Sequence, residues 1–371
     1  MQGRSVVVVG GGLVGLATAW WLQTHGHQVL LVDPLDDSCG DGSLNGSQAA
    51  LGVLMAQVFH RSRGRAWRLR LQSLALWQRW RLDLESRGHA VAWRPGLLLL
   101  AADHQELERQ RLLAADPQRQ GLPLAIWSRD ELASHSPELP TGVGGLYSAA
   151  DGQLDPQTAI RALQADGLAA GMIRRTTRAL ALEPKGEGWR VLLESGGAVE
   201  AEWLLLCAGL ESLSLLEPLG VVKAMEPVLG QALELEWAEA ADPTSGARPA
   251  PDWSWPGAVV RGGINLVPRP DLPGGRRFWL GATLEPGIQA NPLALDALRK
   301  LAGGAPPWLA AAQELRRWQG LRCRPVGQPA PVLEEVAPRL LLISGHYRNG
   351  VLLAPASADW ARQWIDARPK G

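Results

Sequence analysis

The residues best placed to do chemistry are three glycines, Gly10, Gly12 and Gly15. They stand in Gly-x-Gly-x-x-Gly spacing directly after Val6, Val7, Val8 and Val9. Here the backbone does the work. The first glycine permits a tight turn, the second lets the main chain approach a pyrophosphate, and the third lets a helix pack closely on a strand. The amides at the start of that helix, with its positive dipole end, then face phosphate oxygens. Asp33 closes "QVLLVD", where its carboxylate is placed to accept hydrogen bonds from ribose hydroxyls. Its charge would repel a 2′-phosphate, so FAD or NAD fits better than NADP. The glycine triplet alone is a weak signal, but strand, glycines, helix, strand and acid in one unit predict a dinucleotide site.

Other reactive types point to less. Cys39, Cys207 and Cys323 are widely spaced with no Cys-x-x-Cys pair, so no disulfide framework and no metal site is expected, and a reducing cytoplasm fits. Arg61, Arg63, Arg65, Arg68, Arg70, Arg79 and Arg81 crowd one segment, yet Asp83 and Glu85 follow them. The chain balances 37 Lys and Arg against 37 Asp and Glu. A solvated helix face is therefore expected, with no nucleic-acid partner. The 17 tryptophans against 2 tyrosines and 2 phenylalanines read as core filling, and they leave phenolic hydroxyls scarce.

The elements that must position these residues follow from pattern. With 371 residues the chain exceeds one compact core, and its 46% hydrophobic and 20% charged composition is that of a globular protein. The segment before the valines is only "MQGRS", so no leader peptide is expected, and no apolar run approaches the ~18 residues of a membrane span. Continuous β-branched residues at 6–9 suit a parallel strand buried on both faces. A helix is expected over 64–87 with Trp67, Leu71, Leu74, Ala75 and Leu82 as its core stripe, and another opens at Asp103. "GLLLLAA" at 96–102 and "AEWLLLCAG", ending at Gly209, read as strands. An Asp151-Gly152 turn should separate a strand from a helix starting near Pro156, and the segments 176–183 and 189–194 should form a hairpin. From 223 to 318 the strands become antiparallel in character, broken by proline-rich loops such as 243–257.

Together these segments resemble the flavoprotein amine oxidase group of glycine oxidase, D-amino acid oxidase and sarcosine oxidase, most closely the glycine oxidase branch used in thiamine biosynthesis. The most specific piece is "GHYRNGVLLAPASA" at 345–358, supported by "DGQLDP", "LLLCAG", "PVLGQ", "NLVPRP", "LGATLE" and "WQGLR". The resemblance spans almost the whole chain. It implies an α/β fold in which a discontinuous Rossmann-like FAD-binding domain (1–58, 150–222 and 318–371) carries an inserted substrate domain built on an antiparallel sheet (59–149 and 223–317). It also places FAD contacts on Leu13 and Val14 beside the glycines, on Asp33 and Pro34, and on Gly46 and Ser47. Leu51, Gly52 and Val53 would lie against the flavin ring and the main chain near Arg178 on the adenine side, with Gly209 a further cofactor contact. His346, Tyr347, Arg348, Asn349, Gly350 and Val351 would wrap the pyrimidine edge. Arg322 would hold a substrate carboxylate with Arg348 close by, as a guanidinium fork suits a carboxylate. The helix after Asn349-Gly350 would aim its positive end at the ring and stabilise charge there.

The chemistry implied is transfer of an α-hydrogen with its electron pair from a small amino acid or amine to flavin N5. The resulting imine is then hydrolysed, and oxygen or another acceptor takes the electrons. A homo-oligomer is implied by resemblance alone. Departures bear on the substrate. Where the family offers a tyrosine hydroxyl, this chain has Ile264, Asn265 and Leu266, so Asn265 would have to donate in its place. Val53 replaces a methionine, and Arg324 stands beside Arg322, which suggests a larger or more acidic substrate than glycine. Two other readings stay open: a dehydrogenase of the same fold, and a flavin-binding protein without amine oxidation.

Overall fold

The computed structural model describes residues 3–34, 45–237 and 253–368. Cys39 and most of the loop 243–257 lie outside them. Strand β1 (Ser5–Val9) sits at the centre of a six-stranded sheet, its four valines at most 4% exposed. Helix α1 (Leu13–Thr24) returns the chain to strand β2 (Gln28–Asp33), which pairs parallel to β1. Beyond β2 lies Ile173–Thr176. On the other side of β1 come Trp203–Leu206, Leu340–Ser344 and the antiparallel edge strand Val332–Ala337.

Both faces of this sheet are covered, which is why its strands read as unbroken apolar runs. On one face α1, Arg65–Ser86, Pro156–Ala169 and the C-terminal helix Gly350–Asp366 share a core with Trp20, Trp77, Trp80 and Leu352. On the other, the antiparallel strands Ala179–Lys185, Gly188–Leu193 and Ala198–Ala201 lay Trp189 and Val191 over Val7, Leu204 and Leu342.

A second sheet of ten strands carries Met225–Glu236, Ile264–Arg269, Arg277–Gly281, Trp93–Ala101 and Gly144–Leu154, almost all antiparallel. Ala258–Arg261 is the exception, running parallel to Trp93–Ala101. One face packs Leu98, Leu100, Leu233 and Phe278 against the short helices Pro292–Lys300 and Pro307–Ala311. The other buries Leu51, Val58, Ala232 and Val260.

Four expectations are corrected. Gly144–Leu154 is one continuous strand with no Asp151-Gly152 turn. Its pairing jumps from Leu97–Ser148 to Pro95–Gly152, so Asp151 sits in a bulge that turns its side chain off the ladder. The stripe of Arg65–Ser86 is Trp67, Arg70, Leu74, Trp77, Trp80 and Leu84, while Ala75 and Leu82 are exposed, because the tryptophans bury more apolar area than the leucines they displace. The same helix packs on α1 and the C-terminal helix, so it joins the parallel-sheet layer although 59–149 was assigned to the other domain. Finally, strand Gln313–Pro325 pairs with Met225–Glu236 in the second sheet and runs through the expected boundary at 318.

Candidate active site between the two sheets

The glycine turn is built as its spacing demands. Gly10 has φ +103°, and a Cβ there would lie 2.7 Å from the Cys207 carbonyl oxygen. A Cβ on Gly15 would meet the Gly10 carbonyl at 1.9 Å, so helix and turn touch backbone to backbone. Gly12 caps α1 with its own extended backbone and no side-chain bond, and the first turn of α1 carries no acid. Asp33 is 7% exposed and accepts the Gly11 amide at 2.5 Å, which fixes its carboxylate over the turn. Thr177 donates its amide to the Asp33 carbonyl at 3.1 Å, bringing the main chain at Arg178 alongside, while the Arg178 guanidinium pairs outward with Glu211. Pro34 is exposed beside this end, and the Gly209 carbonyl accepts from Ser344 Oγ at 3.2 Å.

From there residues 45–54 run toward the second sheet. Asn45 Oδ1 accepts from the amides of Ser47 and Gln48, and Ser47 Oγ accepts the Leu13 amide at 3.0 Å. A Cβ on Gly46 would press on the Leu321 carbonyl at 2.6 Å, and Trp318 Nε1 donates to the Ala49 carbonyl, so the segment lies on strand Gln313–Pro325. Leu51 then leans over Gly281, and Gly52 (φ +75°) and Val53 pair against Leu154 and Gln153. The segment thus spans from the glycine turn to the second sheet.

Arg322 stands on that sheet. Its guanidinium crosses Gly230 of the neighbouring strand, where a Cβ would lie 2.1 Å from Nη2. Beyond it Nη1 donates to the carbonyls of Leu229 and Thr283, each at 3.1 Å. Burial holds its pKa down to about 10, and the charge of Arg348 adds to the effect. Trp318, Gly320 and Arg322 alternate onto one face, where Ala232 follows, then Gly281, then Asn265. Asn265 donates Nδ2 to the Gly281 carbonyl at 3.0 Å, leaving its second N–H and its Oδ1. Arg348 reaches the same hairpin, with Nη2 3.4 Å from the Gly263 carbonyl. The structure therefore sets Leu51 and Asn265 beside Gly281 and brings the charges of Arg322 and Arg348 within reach of each other on the second sheet, while the glycine turn, Asp33, Arg178 and Gly209 stand at the end of the parallel sheet.

The turn carrying Arg348 is held from behind. Tyr347 takes φ +54°, and Asn349 caps the C-terminal helix without a side-chain bond, with no acid in the first turn of Gly350 and Val351. His346 is 7% exposed, its Nε2 2.8 Å from Ser357 Oγ. Ser357 spends its proton on the Leu353 carbonyl, so Nε2 carries the imidazole hydrogen. Burial drives the His346 pKa down to about 3, which favours the neutral ring. Cys323 Sγ contacts Met225 Sδ, and burial raises its thiol pKa. Arg324 pairs with Glu226, so it adds no free charge to the pocket.

Sequence reading missed four features. Asp151, fully buried, accepts four bonds of 2.9–3.0 Å from the amides of Ala56, Gln57 and Val58. Arg70, expected on a solvated face, is 8% exposed, donates to the Met55 carbonyl and covers the Phe59 ring at 4.0 Å. Gly230 makes room for Arg322. Thr283, Gln231 and Glu285 form a buried polar knot beyond it. Asp151 lay within "DGQLDP", Gly230 and Gln231 within "PVLGQ", and Thr283 and Glu285 within "LGATLE", but no role could be read for them there, because their partners are mostly far away in the chain.

An extended dinucleotide bearing a flat ring fits these residues. Two helix N-termini, at Gly12 and Asn349, are free of side-chain caps and first-turn acids, and residues 45–53 run from the first of them to the second sheet. Among the described residues no helix is long and apolar enough to cross a membrane, and no group of three His, Cys, Asp or Glu could hold a metal ion. The pattern of the family described as "DAO: FAD dependent oxidoreductase" matches residues 5–364. Glycine oxidase of Bacillus licheniformis is 25% identical over 98% of this chain and 93% of its own length. Glycine oxidase of Pseudomonas putida is 29% identical over 96% and 93%. The crystal structure of glycine oxidase from Geobacillus kaustophilus superposes with a TM-score of 0.81 over 100% of this chain and 96% of that one, at 23% identity.

Proposed function

The chain belongs to the DAO family of FAD-dependent oxidoreductases, acting on amino acids or amines, and from that premise we propose that it oxidises the C–N bond of a small amino acid at the Arg322 floor. The carrying observation is Arg322 itself: a guanidinium steered across Gly230, tethered to two carbonyls and given no carboxylate partner among the described residues. Such a group awaits an anion.

FAD, when bound, supplies the acceptor for the α-hydrogen with its electron pair. The chain's own residues supply position. Arg322 takes the substrate carboxylate in its fork, with Arg348 as second cation. Asn265 offers Oδ1 or its second N–H to the amine, and Leu51 with Ala232 gives an apolar wall that excludes water. No base is required, since the amine reacts in its neutral form, and neutral His346 is consistent with that. The uncapped end of Gly350–Asp366 would favour negative charge on a flavin ring held beside it. The imine product then hydrolyses in water.

The test is an anaerobic titration of the purified yellow protein with glycine, sarcosine, D-amino acids and small secondary amines. Bleaching of the visible flavin band by any of them is the expected outcome, and prompt return of colour on admitting oxygen assigns oxygen as acceptor. A yellow protein bleached by none of them overturns the proposal.

A further inference from the structure

Beyond Arg322 lies a carboxylate the proposed reaction does not use. Glu285 is 9% exposed. Its Oε1 accepts from Thr283 Oγ1 and, at 2.9 Å, from Gln231 Nε2, and its Oε2 accepts the Asn291 amide at 2.5 Å. Thr283 joins it to the floor: its hydroxyl donates to Glu285, while its carbonyl accepts Nη1 of Arg322. One residue thus separates the buried carboxylate from the guanidinium. Burial pushes the Glu285 carboxyl up, yet its hydrogen-bond donors and the Arg322 charge outweigh this and hold it ionised below the usual carboxylate range.

The charges around the floor can be counted. Arg324 is taken by Glu226, and Arg70 faces Asp151. Arg348 bonds only to the Gly263 carbonyl among the described residues. On the proposed reading two guanidiniums, Arg322 and Arg348, meet the ligand, and Glu285 is the anion linked to the first of them. We propose that Glu285 is a counter-charge built into the second sheet that confines this site to substrates bearing a single carboxylate, acting through Thr283 on Arg322. The proposal rests on the function argued above and sharpens its substrate class. It also reverses the preference for a more acidic substrate that Arg324 suggested from sequence. Glu285 is a positioning residue, since it touches neither substrate nor cofactor.

The experiment titrates the flavin-loaded protein with acetate and with malonate, reading the visible spectrum, in the wild type and in Glu285→Gln. Wild type should bind acetate more tightly than malonate. The variant should shift that ratio toward malonate by about tenfold or more, because one uncompensated positive charge then favours a dianion. The ratio of kcat/KM for sarcosine and iminodiacetate should move the same way, while a small amine without a carboxylate is oxidised unchanged. Thr283→Val should shift the ratio partway and Thr283→Ser leave it alone. An unchanged ratio, or equal losses with all three substrates, overturns the role of Glu285. Should Glu285→Gln not fold, the wild type decides, since tighter malonate binding overturns the proposal and tighter acetate binding upholds it. Failure of the function itself is distinct: neither anion perturbs the spectrum and no amine bleaches it.

Discussion

Arg322 reaches its two carbonyls only because Gly230 has no side chain. Gly230→Ala should swing the guanidinium off the floor and raise KM for an amino-acid substrate by about tenfold, with kcat changed less, because what is lost is carboxylate binding shared by ground and transition states. Arg322→Lys keeps the charge but removes the fork, and should cost more, about a hundredfold in KM. Steady-state kinetics at fixed oxygen measures both; an unaltered KM in either would remove Arg322 from the carboxylate. His346 makes a prediction of another kind. Its folded pKa of about 3 lies below the 6.5 of an unfolded histidine. Between these values the unfolded chain binds a proton that the folded one refuses, so stability is retained above pH 6.5 and lost as pH falls toward 3. His346→Gln, whose amide can still donate to Ser357, should flatten the fall of Tm between pH 6 and pH 4 relative to wild type; parallel curves would show that the ring is not the sensor.

At the scale of elements, the sequence was informative wherever pattern is local. The valine strand, the glycine turn, the helix capped by Asp103 and the hairpin around "PKGEG" all form within the spans expected, because each depends on neighbours a few residues away. What escaped depends on long-range pairing. Arg322 finds its acceptors 93 and 39 positions away, and Asp151 its amide donors more than 90 away, where no spacing rule reaches. Asp-Gly is a strong turn signal, but here the three backbone amides of residues 56–58 outbid it with four hydrogen bonds and carry the strand on through a bulge. That staple anchors the segment under Leu51 and Gly52, with Arg70 and Arg119 set around it. Asp151→Ala would orphan the amides and leave two buried arginines less compensated, a loss of about 3–5 kcal/mol. Asp151→Asn retains one acceptor oxygen and should fall between. Denaturant midpoints rank the three, and proteolysis inside 55–62 in the alanine variant alone would place the damage in that loop; equal stability would show that the amides find water instead.

The whole molecule is built on two sheets, and the links between them include residues 45–54, the Arg348 contact with Gly263, the strand Gln313–Pro325 lying against Gly46 and Ala49, and the buried Arg269–Asp155 pair. Each sheet keeps a core of its own, Trp20 with Trp77 and Trp80 on one side, Leu98 with Leu233 and Phe278 on the other. A cofactor held as proposed, with its phosphates toward Gly12 and its ring toward Asn349 and Leu51, would touch both layers and so couple them. A ligand that binds only the native state stabilises it by about 4 kcal/mol at a thousandfold excess over its Kd. For a chain of this length that corresponds to about 5 °C in Tm. Stripping FAD with mild chaotrope should therefore lower Tm by that order, and it should also split one unfolding transition into two as the cores melt separately. Calorimetry of holo and apo protein, with FAD added back, checks both parts. Recovery of a single, higher transition on adding FAD, but not on adding NAD, is the expected result; a transition indifferent to FAD would mean that the cleft does not carry the cofactor between its sheets.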